Sequence, residues 1–381
     1  MKKDNKNTKI NSPWIMMALV LVVALVFAAI YRFYWGLGAA TNLSDDIPWG
    51  LWIGVDVLAG VALAAGGFAI AGAVYIFNLP KYKPIARAAV LTAFAGYVVV
   101  SISLFFDIGK PLSLWHPLIM WQPHSIMFEV TWCVVLYTIV LALEFAGPYL
   151  ESIGAKKTAT IMTGRPVLVP LAIAAVTLSF LHQSSLGALF LLIPSKLHHL
   201  WWTTMLPYNF FISAIAAGLA MVSFESIIAA KVFHHRLDPE ILQGLAKGTA
   251  ITLLVYFILR MGDILVKGNI SLMFDGGAGT LFLFEMIFFV LIPMLMLFKN
   301  TRSTNGMGVM MPQVLVLLGV VFNRLNILFL IQYKQGVSYY PSIVEMAITL
   351  GLIASIIVVY KIAIIKLPIT TLWKTYTSPD N

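Results

Sequence analysis

One cysteine, Cys133, stands in 381 residues. A single thiol excludes an internal disulfide and excludes an iron–sulfur cluster ligated by this chain alone. Charge is scarce too: Asp, Glu, Lys and Arg make up 11% of the chain, against about 25% in soluble domains. Too few charges remain to cover a water-facing surface. Long polar stretches are also missing. The longest are the first dozen residues, the loop near 149–165 and the last dozen, so no soluble domain fits anywhere. What fills the chain is 60% hydrophobic residues, with a mean hydropathy of +0.91. Apolar runs of about twenty residues recur, each long enough to cross a hydrocarbon core of roughly 30 Å. The chain reads as an all-α polytopic membrane protein, a single integral membrane domain over 1–381.

Ten spans are expected, near 13–35, 51–77, 88–108, 124–148, 166–184, 205–230, 241–264, 280–298, 309–331 and 342–366. On this topology Arg32, Lys110, Lys196, Arg260, Lys267, Arg324 and Lys334 fall on one side, and the other 18 of the 25 Lys and Arg residues fall on or near the side of the N-terminus. The positive-inside rule then makes both termini cytoplasmic. The net charge of +9 reports topology rather than a nucleic-acid partner. The apolar run from Ile15 to Ile30 lacks a small-residue cleavage site after it, so it reads as a retained signal-anchor helix.

Spacing suggests a duplication. Asp107 in "FFDIG" and Glu129 in "MFEV" are 22 residues apart, as are Asp263 in "RMGDI" and Glu285 in "LFEM", with an offset of 156. Pro48-Trp49 and Pro207-Tyr208 repeat at an offset of 159. Four spans separate the copies, which share orientation. The expectation is a first four-helix bundle over 48–200 and a second over 205–331, related by a pseudo-twofold along the membrane normal, with 13–35 and 342–366 as flanking helices. Tryptophan is concentrated on the outward side: Trp35, Trp49, Trp52, Trp115, Trp121, Trp201 and Trp202, against Trp14 and Trp373 on the other. An interfacial aromatic belt accounts for such residues one by one. The bias as a whole suggests that "PLSLWHPLIMWQP" and "PSKLHHLWWTTMLP" lie along the outer surface, roofing a site or receiving a partner.

The ionisable residues within the spans carry the functional argument. Asp56, Asp107, Glu129, His182, Arg260, Asp263, Glu285, Arg324 and Glu345 fall in the outward third or at its boundary; Glu144 and Glu225 lie toward the cytoplasm. An Asp, Lys or Arg at a helix centre costs about 2.5–3.5 kcal/mol on insertion scales, so a wet cavity, mutual pairing or both must hold this group. Bland accounts compete. Arg260 and Asp263, three apart, can neutralise each other. Asp107 and Glu345 sit near span ends, where water reaches them. Asp56 and Glu129 lie more than a turn inside their spans with no local partner. His182 closes the fifth span, and a lone membrane histidine is more often a packing residue than a ligand. Haem with two axial histidines needs a facing pair inside the bilayer. His116, His198, His199, His234 and His235 fall in loops and His124 at a helix mouth, so neither haem nor a transition-metal site is expected.

A chain with no electron carrier of its own and a polar, aromatic outer boundary fits a lipid-soluble quinone. The quinone's carbonyls need donors, and its two-electron chemistry moves two protons through groups within about 3 Å. A proton-coupled transporter also wants buried carboxylates. The Gly/Pro-interrupted helix it would need is not evident, and "GVALAAGGFAIAG" (60–72) reads first as a close-packing stripe. A passive anchor for a redox enzyme is the third reading. Helical geometry leaves His124 and Glu129 roughly 140° apart on their helix, whereas Ser125, Cys133 and Glu144 share the stripe of Glu129; Glu144 lies about 22 Å further along the axis.

The stretches "IPWGLWIGVD", "GGFAIAGAVYIFN", "PHSIMFEVTWCVVLYTIVLALEF", "LHQSSLGALFLLIPSKLH", "GLAMVSFES" and "LRMGDILVKGNISLMF" together resemble the NrfD/PsrC-like integral membrane subunits of quinone-linked redox complexes. The likeness is to the ten-helix branch that contains the hydrogenase-2 membrane subunit and related subunits of sulfate-reducer redox complexes. It runs from about residue 30 past 270. The resemblance implies a subunit of the bacterial or archaeal cytoplasmic membrane that binds quinone near the periplasmic face, menaquinone in preference to ubiquinone, and carries no haem. It implies a periplasmic ferredoxin-like iron–sulfur subunit as partner, leading to a hydrogenase, molybdoenzyme or multihaem cytochrome. It assigns Glu129, Asp56 and His182 to the quinone and proton site, with His124, Trp52, Asp107, Arg260 and Asp263 around the quinone. It also implies a proton path through Glu129, Glu144, Glu225 and Arg87, coupled or not to translocation.

Overall fold

The computed structural model describes residues 13–47, 49–233, 235–300, 306–334, 336, 339–369 and 374–375. Among the residues used above, Lys2, Lys3, Lys6, Lys9, Pro48, His234, Arg302 and Trp373 lie outside the described residues. Among the described residues ten helices are long and apolar enough to cross a membrane: α1 Pro13–Trp35, α2 Trp52–Ile76, α3 Pro80–Asp107, α4 Ile126–Ser152, α5 Arg165–Leu192, α6 Leu206–Val232, α7 Pro239–Val266, α8 Gly276–Asn300, α9 Gly308–Leu330 and α10 Ile343–Lys366. The protein is a multi-pass integral membrane protein built from α-helices. Among the described residues extended pairing is confined to His235–Arg236 with Lys374–Thr375 and a bridge between Ser44 and Ile47. Ten spans put the start of α1 and the end of α10 on one face, the terminal face; the other is the distal face.

Each helix of α2–α5 packs on the next, as do α6–α9. Contacts of α2 and α5 with α6, and of α2 with α9, join these sets, while α1 lies along α10, which packs on α3. Helix α2 is the hub, with 78% of its apolar window buried against 17% in α1. Its small residues let it in. A Cβ on Gly218 of α6 would come within 2.6 Å of the Ala65 carbonyl carbon and the Gly66 nitrogen, and one on Gly67 within 2.5 Å of the Ala93 methyl. The 60–72 stripe is therefore a close-packing surface, and it is also interrupted. The helix tightens into a turn at Ala64–Ala65 and widens to π geometry over Trp52–Ala59 and Gly72–Ile76. A third π stretch, Glu285–Leu291, lies in α8. Such bulges often accompany functional side chains, and these carry Asp56 and Glu285.

Two boundaries move buried groups relative to the sequence reading. Helix α5 does not end at His182 but runs on to Leu192. The polar "QSS" run stays helical because Ser184 and Ser185 donate back to the Phe180 and Leu181 carbonyls, each at 2.7 Å. His182 therefore lies well inside the bundle. Helix α4 begins at Ile126, with Ser125 Oγ accepting from the Phe128 amide at 3.4 Å. Glu129 thus sits in the first turn of α4, half-buried, rather than more than a turn inside.

Gly218→Leu should force α2 from α6. The expected result is loss of monodisperse protein on size-exclusion chromatography in detergent, with Gly262→Ala, where a Cβ meets open space, behaving as wild type.

Candidate functional site

The polar side chains of the distal half separate into three clusters. The first joins α1, α2, α3 and α10. Asp56 is buried and accepts from Ser103 Oγ at 3.0 Å and Thr349 Oγ1 at 2.9 Å. Trp52, one turn earlier, donates its indole N–H to the Glu345 carbonyl at 3.3 Å. Glu345 is fully buried; it accepts from the amides of Asn42 at 3.2 Å and Ser342 at 2.8 Å, and from the Tyr339 hydroxyl. Burial, reinforced by that bond to Glu345, pushes the Tyr339 phenol above its ordinary range. Arg32 donates to the Phe106 and Ile108 carbonyls at 2.9 and 3.0 Å, closing the end of α3. Asp107 lies within electrostatic reach of Glu345, Arg32 and Asp56, and its Oδ1 is buried without a partner. Water does not solvate Asp107 Oδ1 or Glu345, contrary to the sequence reading, because α1 and the 339–345 segment close over them. A visible signal existed: Ser342-x-x-Glu345 is a capping box, which turns the glutamate back onto its own helix start.

The second cluster lies between α3, α4 and α5. The Tyr97 hydroxyl and His182 Nδ1 share a hydrogen bond at 3.1 Å, and Tyr137 meets the Tyr97 ring edge-on with centroids 4.5 Å apart. His182 Nε2, Ser179 Oγ and both amide atoms of Gln183 are buried with no partner. Helix α4 leads into this cluster. Glu129 stands at the distal rim, Cys133 lies within its electrostatic reach one turn in, and Tyr137 one turn further. Glu144 continues the same stripe toward the terminal face, buried with both carboxylate oxygens unpartnered. It lines a cavity of about 200 Å³ with Tyr75, Lys83, Arg87, Thr163 and Leu168. Arg87 forms a two-point ion pair with Glu151 at 2.8 and 2.9 Å. Glu225 does not join this line. It accepts from Thr92 Oγ1 at 2.5 Å, and Thr92 lies about 200° around α3 from Val90, which lines the cavity.

The third cluster belongs to α6–α9. Glu285 accepts from Trp201 Nε1 at 3.2 Å, Asn323 Nδ2 at 2.6 Å and Asn326 Nδ2 at 2.9 Å. Arg324 donates to Asn323 Oδ1, Ser213 Oγ and the Phe210 carbonyl at 2.8, 2.9 and 3.1 Å, with its guanidinium 3.5 Å above the Phe210 ring. Arg260 is buried over Phe282. It does not neutralise Asp263, which pairs with Lys267 at 3.0 Å at the helix end; Arg260 points into the bundle while Asp263 stays at its rim.

The sequence-selected residues thus divide. Asp56, Trp52 and Asp107 come together; His182 and Glu129 belong to the α4 line; Arg260 lies over Phe282 inside the α6–α9 set; and Asp263 stays at the rim. His124 is exposed. The "PLSLWHPLIMWQP" segment is largely exposed, but the second tryptophan segment turns inward: Leu197, Leu200, Trp201 and Thr203 are buried, because Glu285 draws the Trp201 indole into the bundle. Sequence reasoning passed over Tyr97, Tyr137, Tyr339, Arg32 and the Asn323–Asn326 pair. The polar triple Asn323, Arg324 and Asn326 inside an apolar run was the available signal.

A ten-helix membrane bundle with buried carboxylates, guanidiniums and an imidazole is the class this architecture defines. A family model described as "Polysulphide reductase, NrfD" matches residues 39–334, and the chain belongs to that family. The "Probable Ni/Fe-hydrogenase 2 b-type cytochrome subunit" of Escherichia coli is 30% identical over 95% of this chain and 93% of its own. The "Menaquinone reductase, integral membrane subunit" of Nitratidesulfovibrio vulgaris is 28% identical over 82% of this chain and 79% of its own. The "Hdr-like menaquinol oxidoreductase integral membrane subunit" of Archaeoglobus fulgidus is 24% identical over 91% and 92%.

Asn323 links Glu285 to Arg324. Replacing it with Leu leaves a buried donor and acceptor unmet, at about 1–3 kcal/mol. Detergent-solubilised Asn323→Leu should lose that much stability in an SDS unfolding titration.

Proposed function

We propose that this protein is the quinone-reactive membrane subunit of a multi-subunit oxidoreductase. Its quinone site lies at the distal end of α2–α5, and its proton route runs along α4. The observation that carries the reading is the α4 line itself. Ionisable and hydroxyl groups follow one another from Glu129 at the rim, past the Tyr97–His182 pair, to the unpartnered Glu144 at a cavity reaching the terminal face. The printed names of two relatives, a menaquinone reductase subunit and a menaquinol oxidoreductase subunit, support quinone, and menaquinone in preference to ubiquinone.

A bound quinone accepts or yields two electrons and two protons. The chain's part is to hold and move those protons. His182 Nε2 has no other partner, and its Nδ1 bond to Tyr97 fixes the ring, so it suits a donor facing a carbonyl oxygen. Glu129 suits proton exchange at the distal rim. Asp56, with Trp52 and Asp107 beside it, backs the site from α2 and α3. Glu144, about 22 Å along α4 from Glu129, suits the terminal-face end, with Arg87 and its partner Glu151 at the cavity wall. Glu225 belongs to a separate polar pocket with Thr92 and Tyr360. On this reading the distal face is periplasmic, the termini are cytoplasmic, and the membrane is the cytoplasmic one. The exposed 111–121 segment receives a ferredoxin-like iron–sulfur subunit, which connects to a hydrogenase, molybdoenzyme or multihaem partner. The two four-helix sets are copies of one ancestral unit.

The hydrogenase relative's printed name includes a b-type cytochrome. Here the spans contain one histidine among the described residues, His182, whose surroundings are Tyr97, Ser179 and Gln183. A pair of axial imidazoles within the bundle does not fit this chain.

The test uses membranes carrying the assembled complex. Glu129→Gln and His182→Phe should each lower quinone-linked electron transfer at least tenfold while complex abundance, read on native gels, stays at the wild-type level. Full activity in both variants would leave a passive anchor as the better account, and solute uptake by liposomes containing this chain alone would favour a transporter.

A further inference from the structure

Tyr97 and His182 leave one proton to be placed. They share a single hydrogen bond, the Tyr97 oxygen to His182 Nδ1 at 3.1 Å, and both side chains are fully buried. A neutral imidazole carries its proton on Nδ1 or on Nε2, and the nitrogen without it accepts. With the proton on Nδ1, the imidazole would donate to the Tyr97 oxygen, and the phenol would have to send its own proton elsewhere. The groups around that oxygen offer little. Cys133 lies within its electrostatic reach, but sulfur is a weak acceptor. Tyr137 meets the Tyr97 ring edge-on, at 89°. Ser179, three residues before His182 on α5, stands close to the Tyr97 oxygen, and its own hydroxyl makes no well-formed bond and also needs an acceptor.

Placing the proton on Nε2 resolves this. Ser179 can turn its hydroxyl onto the Tyr97 oxygen, and Tyr97 donates to Nδ1. A phenol gives up its proton more readily than a neutral imidazole does, and an imidazole nitrogen accepts better than a phenol oxygen. One group then stays unmet. His182 Nε2–H points away from Tyr97 and has no acceptor among the described residues. A buried donor left unpaired is costly, so an acceptor from outside the chain belongs there. A carbonyl oxygen only accepts. A hydroxyl brings a proton of its own, which His182 in this form cannot take. The adjacent Gln183 amide can serve either ligand, so the selection falls on His182.

We propose that Tyr97 is a positioning residue that sets the specificity of the site: it holds His182 in the Nε2–H form, which favours a ligand's carbonyl oxygen over its hydroxyl and hence the oxidised quinone over the reduced one. The preference between ligands rests on the quinone reading; the hold of Tyr97 on His182 does not.

The experiment uses the full-length chain, labelled with 15N-histidine and placed in lipid nanodiscs, read by solid-state NMR. The spectrum of His182→Gln identifies the His182 signals among those of seven histidines. Wild-type His182 should be neutral with its proton on Nε2 alone. Tyr97→Phe keeps the ring against Tyr137 and removes the hydroxyl, and should show the Nδ1–H form as well. In the same preparations under anoxic conditions, menadione should bind the wild type at least about fivefold more tightly than menadiol. Tyr97→Phe should bring that ratio toward one, whereas loss of packing alone would weaken both ligands alike. Wild-type His182 protonated on Nδ1 would overturn the proposal, and this reading needs no variant should Tyr97→Phe fail to fold. Identical His182 spectra in the wild type and Tyr97→Phe would overturn it too. Failure of both ligands to bind, with the tautomer shift present, would overturn the quinone reading and uphold the hold of Tyr97 on His182.

Discussion

Two buried carboxylates, Glu285 and Glu345, organise the distal half of this protein, and neither does so through an ion pair. Each accepts hydrogen bonds from three neutral donors drawn from two separate pieces of chain: Trp201, Asn323 and Asn326 for Glu285, and Asn42, Ser342 and Tyr339 for Glu345. Hydrogen bonds to an ionised acceptor are roughly twice as strong as neutral ones, and no water competes for them inside the bundle. A carboxylate placed there draws its donors inward. This is why the Trp201 loop is tucked into α6–α9, and why the segment before α10 is tied to the residues that follow α1.

The same constraint shapes α2. A helix at the centre of ten must be approached closely on several sides, and its glycines and alanines permit this at Gly66, Gly67 and the facing Gly218. Widening to π geometry at Trp52–Ala59 re-aims Asp56 toward Ser103 and Thr349, where its charge is met by two hydroxyls. The corresponding stretch in α8 aims Glu285 at α9. Local departure from the α-helix therefore coincides with the buried acids that need partners on a neighbouring helix.

Against these satisfied carboxylates, Glu144 and the groups around His182 stand out by being unsatisfied. His182 Nε2, Gln183, Ser179 and Glu144 are buried with open hydrogen-bonding capacity, whereas Asp56, Glu285 and Glu345 are held by their neighbours. Satisfied carboxylates read as architecture. Unsatisfied groups that lead from a rim to a cavity read as places where protons and a ligand's oxygens are handled, and this contrast separates the proposed site from its scaffold.

Much of this was legible in the sequence. Ten spans, their order and the family likeness follow from hydropathy and motif, because lipid leaves a spanning chain no alternative to apolar helices. The stripe joining Glu129, Cys133 and Glu144 follows from helical periodicity alone. The end of α5 was misjudged because Ser184 and Ser185 look like loop residues until their hydroxyls are seen bonding back to the helix. Solvation of Asp107 and Glu345 was misjudged because nearness to a span end says nothing about what covers that end. Composition and periodicity determined that this is a ten-helix membrane protein with acids in its spans. Only tertiary structure decided which acids are satisfied, since Asn42 meets Glu345 and Thr349 meets Asp56 across some three hundred residues of chain, and a hydrogen bond depends on distance in space.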